Sequence, residues 1–393
     1  MKNWLVLLVT SVVLTGCGLN YQDKGADLDA LSVNEAVTSL DEEPTLLTEN
    51  FEANGEDSLS QFNAKWADLP AVELRDSGIQ ESHFLRLNGI DQYVYEVGQG
   101  EGLPVAIFLH GGPGFSYTNQ ADTLVGLADQ VNVLFWDQIG AGQTYEANSN
   151  VEPNMVDLQA SLTDLVAYTK ARYGVDQVGI IGHSWGSALG ASYVLEHPDD
   201  VSFYVGIGQV VTPVEDEAVA LSQTRDLATS LGRQDLLDQL GEIPTDYPNP
   251  ENFLTLAYEA AILRSVQREL GFGTADFVQY LPLLLTNQVD KLSAGDQEML
   301  DRMLLNQRLY RELLATDIYA MDLEFSMPFY LISGENDIQV PRSQSEKMIE
   351  KVQAPTKEMM IIPDAGHTPM IDQETDFIKS LTTIINRTFS ANE

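Results

Sequence analysis

The chain has a single cysteine, Cys17, in 393 residues, which excludes an internal disulfide framework and any cysteine-clustered metal site. Basic residues are scarce: 21 Lys and Arg face 59 Asp and Glu, a formal net charge of −38. So acidic a surface repels phosphate backbones, which excludes nucleic acid as a partner and an anionic membrane bound through a basic patch. The apolar run Trp4–Leu14 is too short to span a bilayer, since it would rise only about 16 Å as a helix. There is no internal repeat, no low-complexity block and no G-x-x-x-x-G-K-[ST] phosphate loop. With 44% apolar residues the chain is too hydrophobic for a disordered protein and long enough for a large core plus one sizeable insertion.

What is present begins with an address. Lys2 and the run Trp4–Leu14 read as a secretory signal, and Leu14-Thr15-Gly16-Cys17 resembles a bacterial lipobox. That resemblance implies removal of residues 1–16, acylation of Cys17, and a protein exported and lipid-anchored on the periplasmic side or the cell surface. From Gly18 to Phe62 eleven acidic residues accompany one lysine. This composition predicts an extended acidic tether over residues 17–70, spanning about 35–40 Å root-mean-square.

From residue 81 the pattern changes. Phe84–Leu87 and Tyr93–Val97 flank Asn88-Gly89 and predict a hairpin. Continuous apolar runs follow at Val105–Leu109, Val131–Trp136, Val178–Ile181, Val201–Ile207, Phe329–Ile332 and Met359–Ile362, the mark of strands buried on both faces of a parallel sheet. Amphipathic stretches at Met155–Tyr173, Ser184–Glu196, Ser343–Val352 and Phe377–Ile385 alternate with them, so the class is α/β with helices on both faces. Between Val211 and Phe325 the alternation stops. Helical patterns at Glu215–Leu231, Gln234–Leu240, Glu251–Leu270, Ala275–Leu285 and Gly295–Leu314 take over. An all-helical insertion at that point covers the carboxyl ends of the strands, where ligands bind. The expected organisation is a core of residues 71–211 and 325–393 with a helical cap at 212–324.

Gly182-His183-Ser184-Trp185-Gly186 follows a strand and opens a helix, the context in which G-x-S-x-G lifts a serine above the sheet edge. Ser184 is the predicted nucleophile; the amide of Trp185 and the helix N-terminus point at the reacting oxygen. A serine needs a base held by an acid. Of five histidines, His83 and His197 read as structural, and His110 and His183 as shaping their own loops. His367 lies after the last strand and is the predicted base. Asp337, in Gly334-Glu335-Asn336-Asp337, is the predicted acid with Glu335 as the alternative; Asp364 is expected to fix its own turn. His110-Gly111-Gly112-Pro113-Gly114 follows Val105–Leu109, and the amides of Gly112 and Trp185 are assigned to an oxyanion hole.

Together these segments resemble the α/β-hydrolase superfamily and, within it, the proline iminopeptidase-like serine peptidases. His110–Gly114 matches their HGGPG, and Gly182–Ser187 is close to their GGSWGS with His183 in place of glycine. Trp136–Gly142 resembles WDQRGxG with Ile139 in place of arginine. The resemblance implies an α/β-hydrolase fold with an inserted helical cap, no metal and no organic cofactor. It also implies release of N-terminal residues from short peptides, the free amine being read by carboxylates. Glu215, Asp216 and Glu217 have suitable charge for that, with Glu215 and Glu217 taken as substrate-binding. The same triad would serve a carboxylesterase or lactonase, and a tethered binding protein without turnover is the remaining possibility.

Overall fold

The computed structural model describes residues 79–100, 102–249, 253–272 and 301–390. The expected signal, Cys17, the acidic tether, the helix Ala275–Leu285 and the stretch 295–300 lie outside the described residues.

Among the described residues eight strands form one sheet: β1 (Ile79–Leu87), β2 (Ile90–Gly98), β3 (Val105–Leu109), β4 (Asn132–Trp136), β5 (Val178–His183), β6 (Val201–Ile207), β7 (Phe329–Gly334) and β8 (Lys357–Ile362). Their spatial order is β1-β2-β4-β3-β5-β6-β7-β8. β1 and β2 are antiparallel to each other and β2 to β4, and every later pairing is parallel. The hairpin turns where expected, because Asn88 (φ 45°) and Gly89 (φ 73°) both take the left-handed conformation that a two-residue turn needs. Its strands run further than their apolar patterns, since an antiparallel edge tolerates exposed polar positions.

Alternation along the parallel strands feeds two cores. Ile107, Leu109, Leu134, Ile180 and Leu331 point to the face covered by α2 (Met155–Tyr173), α3 (Trp185–Glu196) and Met348 of α8 (Arg342–Lys351). Phe108, Val133, Phe135, Ile181, Val205 and Ile332 point to the other face. There Leu124 and Leu127 of the 3₁₀ stretch Thr118–Leu127 and Phe377, Leu381 and Ile384 of α10 (Glu374–Ser390) pack against them. Each of these strand side chains is fully buried, which stabilises the fold by roughly 1.5–3 kcal/mol apiece. The helices stop where local chemistry says. Asn154 caps α2 by accepting from the Asp157 amide at 3.0 Å, and Gly174 ends it at φ 65°. The apolar pattern does not announce Thr118–Leu127 or the short α1 (Gly142–Ala147), and Asp137 holds the start of each by accepting from Thr118 Oγ1 (3.1 Å) and the Gln143 amide (2.8 Å).

Between β6 and β7 the described chain is helical: α4 (Pro213–Ser230), α5 (Gln234–Leu240), α6 (Phe253–Glu269) and α7 (Gln307–Leu314). The first three share their own apolar cluster, including Leu221, Leu236, Leu240, Leu256, Leu263 and Val266. The short α9 (Pro369–Asp372) precedes α10. No described helix is long and apolar enough to cross a membrane.

Candidate active site

The turn from β5 into α3 is forced by two glycines. A Cβ on Gly182 would collide with the Gly186 carbonyl oxygen, and one on Gly186 with that of Leu109. Between them Ser184 takes φ 53°, ψ −121°, a left-handed backbone that a non-glycine residue adopts only when its surroundings impose it. Its amide donates to the Ile207 carbonyl (2.8 Å) at the end of β6. Ser184 precedes α3 rather than opening it. Trp185 is the first helical residue, so its N–H has no acceptor within the helix.

His367 and Asp337 meet, although 30 residues separate them. The imidazole Nδ1 lies 2.9 Å from Asp337 Oδ2, both side chains fully buried. The other carboxylate oxygen accepts the amides of Gln339 (3.1 Å) and Val340 (3.0 Å). With the carboxylate fixed, Nδ1 carries the proton, and Nε2 has no hydrogen-bond partner although it is buried. Room for the pair comes from Gly208 (φ 53°), just past β6: a Cβ there would lie 2.9 Å from the His367 ring and 3.3 Å from Asp337 Oδ2. Glu335 is exposed and accepts from the Asp364 amide (3.3 Å) instead of facing the imidazole, and Asp364 sits in its turn at φ 54°.

Two further histidines tie the loops together. His183 Nε2 lies 2.9 Å from the His367 carbonyl oxygen, and the two rings are 5.0 Å apart. Burial first, then the neighbouring His367, pulls the His183 pKa down to about 3, so the ring is neutral and donates from Nε2. His110 Nδ1 lies 2.8 Å from the Gly111 carbonyl and its Nε2 accepts the Gln138 amide (3.1 Å); burial lowers its pKa to about 4. Gly111 packs onto the elbow, where a Cβ would lie 3.0 Å from His183 Nδ1 and 3.2 Å from Ser184 Cβ. The loop bearing Gly112 (φ 122°) therefore lies against Ser184.

Gln138 is a residue that sequence reasoning passed over. Its amide group donates to the His110 carbonyl (3.2 Å) and accepts from the Trp185 indole N–H (2.8 Å), joining the loop of Gly112 to the elbow. Its place inside Trp136–Gly142 was the available signal. Asp137 next to it collects Ser116, Thr118 and the Gln143 amide; burial raises its pKa, and those hydrogen bonds work against the rise.

The carboxylates at the start of α4 are spread apart. Glu215 is half exposed and lies 3.5 Å from Lys347 of α8. Asp216 is buried and accepts the amides of Val211 (3.1 Å) and Thr212 (3.2 Å) and the Gln344 side chain (3.1 Å), which closes the N-terminus of α4. Burial pushes its carboxyl up to about 6. Glu217 faces inward, ion-paired with Arg264 of α6 and accepting from the Tyr247 hydroxyl. Arg264 in turn donates to Gln267 (3.0 Å), whose amide reaches the Ile338 carbonyl (2.8 Å), one residue past Asp337. The inserted helices thus touch the acid's loop. Among the described residues no group of three or more His, Cys, Asp or Glu could hold a metal ion.

The fold and the three converging loops define a class, and comparison with known proteins agrees. The chain matches the family model described as "alpha/beta hydrolase fold" over residues 104–374 and belongs to that family. It is 25% identical over 293 residues to the probable aminopeptidase YbaC of Bacillus subtilis, covering 71% of this chain and 88% of the relative. It is 29% identical over 181 residues to a proline iminopeptidase of Saccharolobus solfataricus, covering 44% of this chain but only 53% of that protein. A solved structure of a proline iminopeptidase-related protein from Thermus thermophilus superposes with a TM-score of 0.55 at 18% identity, over 79% of this chain and 98% of that one.

Proposed function

We propose that this protein is a serine hydrolase, and specifically an aminopeptidase of proline iminopeptidase type that releases N-terminal residues from short peptides. One observation carries it. His367 is bonded to buried Asp337 through Nδ1, keeps Nε2 free, and is tied through its own carbonyl to the residue beside Ser184. In unliganded sites the serine–histidine bond is often long and tightens with substrate. The order Ser184, Asp337, His367 along the chain is the order expected for this architecture.

In the proposed reaction, Ser184 Oγ attacks the substrate carbonyl carbon and its proton passes to His367 Nε2. Asp337 holds the imidazole and stabilises its cation. The oxyanion is held by the Gly112 and Trp185 amides, each contributing about 3–4 kcal/mol of transition-state stabilisation. His367 hands its proton to the leaving amine, and an acyl group remains on Ser184. Water attacks that ester, losing a proton to His367, which returns it to Ser184 as the acid departs.

The names of the Bacillus and Saccharolobus relatives support the aminopeptidase reading. A second reading, a carboxylesterase or lactonase using the same triad, is favoured by a different observation. Neither expected amine reader is uncommitted, because Glu217 is paired with Arg264 and Glu215 with Lys347. Free and N-blocked prolyl and alanyl arylamides, run beside short-chain esters on wild type and Ser184→Ala, separate the two. Cleavage of free arylamides alone supports the peptidase; equal rates on blocked and free forms, or faster ester turnover, support the esterase. Turnover surviving in Ser184→Ala removes both.

The reading extends to location. Residues 1–16 direct export, acylated Cys17 holds the protein to a membrane, and residues 17–70 tether the hydrolase core (71–211 and 325–393) with its helical cap (212–324). Radiolabelled palmitate retained by wild type and absent from Cys17→Ala is the expected outcome; equal labelling of both removes the anchor.

A further inference from the structure

The inserted helices reach the loop of Gly112 through a residue that no catalytic motif contains. Asn306 is fully buried at the N-cap position of α7 and makes no capping bond there. An asparagine at that position ordinarily gives its side-chain oxygen to an amide of the first turn. Here the side chain turns aside. Its Nδ2 donates to the Gly140 carbonyl (2.9 Å) and the Arg302 carbonyl (2.8 Å), while Oδ1 has no hydrogen-bond partner. Two glycines make the space it fills. A Cβ on Gly114 (φ 90°) would lie 2.7 Å from Nδ2, and one on Gly140 (φ 84°) would lie 2.7 Å from Oδ1. One turn further on, the Tyr310 hydroxyl stands 3.4 Å from the Pro113 carbonyl oxygen. Asn306 is wedged between Gly114 of the Gly111–Phe115 loop and Gly140 of the Trp136–Gly142 segment, the same two segments that His110 and Gln138 join.

We infer that Asn306 is a positioning residue that holds the Gly111–Phe115 loop where the Gly112 N–H meets the developing oxyanion. This rests on the serine-hydrolase reading. The physical reason is that a hydrogen-bond donor stabilises a transition state only when its position is fixed beforehand, and a shift of about 1 Å can lose about 100-fold in rate. An unfilled space beside Gly114 and Gly140 would let the loop relax into it. The same wedge makes the inserted helices part of the oxyanion geometry as well as a cover over it.

The test uses the full-length protein with Asn306→Asp, which keeps the shape without the N–H donors, and Asn306→Ala, which removes the wedge. The readouts are kcat, KM, Tm, the titratable fraction of Ser184 with a fluorophosphonate at completion, and the Ki of an alkyl trifluoromethyl ketone. That ketone forms a tetrahedral oxyanion on the serine. Expected is a fall in kcat of about 10- to 100-fold in both variants with KM within about threefold of wild type. Ki should rise by a similar factor at an undiminished titratable fraction. Unchanged kcat and Ki overturn the inference, and so does a loss of rate that follows the titratable fraction with Ki unaltered, since that is a folding role alone. Should neither variant fold, Tyr310→Phe, which removes only the hydroxyl near Pro113, is expected to raise Ki by a smaller factor, and an unaltered Ki there overturns the inference. Ser184→Ala, run in parallel, keeps the two failures apart. Turnover in that variant defeats the serine-hydrolase reading, whereas an inactive Ser184→Ala beside Asn306 variants of wild-type kcat and Ki defeats only the wedge.

Discussion

The sheet buries an acid at each of two distant places, and they are treated in opposite ways. Glu96 on β2, far from the elbow, accepts from the hydroxyls of Tyr168 and Tyr173 (2.8 Å each) and from Arg172 Nε (3.3 Å), with His83 Nε2 3.2 Å away. Arg172 also reaches Glu81 (2.8 Å). Burial pushes the Glu96 carboxyl up, but these donors and the Arg172 charge outweigh it, so the pKa ends below the ordinary value. Asp337 takes two backbone amides and one imidazole, and that imidazole is left with a free nitrogen. A buried network satisfied on every side stiffens the fold. The second network stops at an imidazole nitrogen without a hydrogen-bond partner, the feature through which the proposed reaction would move a proton.

The contrast is open to direct attack. Asp337→Asn should lower kcat by about 10⁴-fold, because the histidine loses the partner that sets its tautomer, while Tm changes little; steady-state kinetics and thermal melts check it, and a large Tm loss with kcat intact would reverse the assignment. Glu96→Ala should do the opposite. It takes the acceptor from two buried phenols and from Arg172 Nε, while Arg172 keeps its bond to Glu81, and should destabilise the fold by about 3–5 kcal/mol, with kcat per folded molecule unchanged; urea denaturation and active-site titration read the two quantities.

Acid should pull buried carboxylates in different directions. The lowered pKa of Glu96 means its stabilisation is present above the ordinary glutamate value and is lost as pH falls through the folded one. Asp216, raised to about 6, has the reverse sign: between about 4 and 6 the folded state holds a proton that the unfolded state has released, so its contribution worsens as pH rises. Unfolding free energy measured for wild type and Asp216→Asn across that window should differ by an amount that shrinks or reverses toward low pH, by up to about 3 kcal/mol. A pH-independent difference would contradict the sign. The smallest effect is global. A chain of charge −38 repels itself, so Tm should rise by a few degrees between low and near-molar NaCl, and a flat or falling Tm would count against self-repulsion as a material term.

The parallel strands, the elbow and the helix Met155–Tyr173 were readable because each is specified locally, by a continuous apolar run, a glycine pair or a period near 3.6. Asp337 and Glu335 follow the same strand in one loop, so position left both open, and only the fold puts one against His367 and the other against the Asp364 amide. Glu215 and Glu217 read alike in sequence, yet two residues along α4 send one outward to Lys347 and the other inward to Arg264. Gly208 and Asn306 gave no pattern to follow, and Gln138 gave only its place in Trp136–Gly142. Each owes its importance to a neighbour between 28 and 166 positions away.

Local sequence therefore determined the strands, the sharp turn at Ser184 and the kinds of side chain offered at the strand ends, because backbone strain and apolar periodicity act over a few residues. Which acid meets the imidazole, which cation each cap carboxylate meets, and what wedges the Gly112 loop were decided only when distant segments packed. Hydrogen bonds and steric contacts act over a few ångströms in space, and chain separation carries no information about them until the sheet brings their partners together.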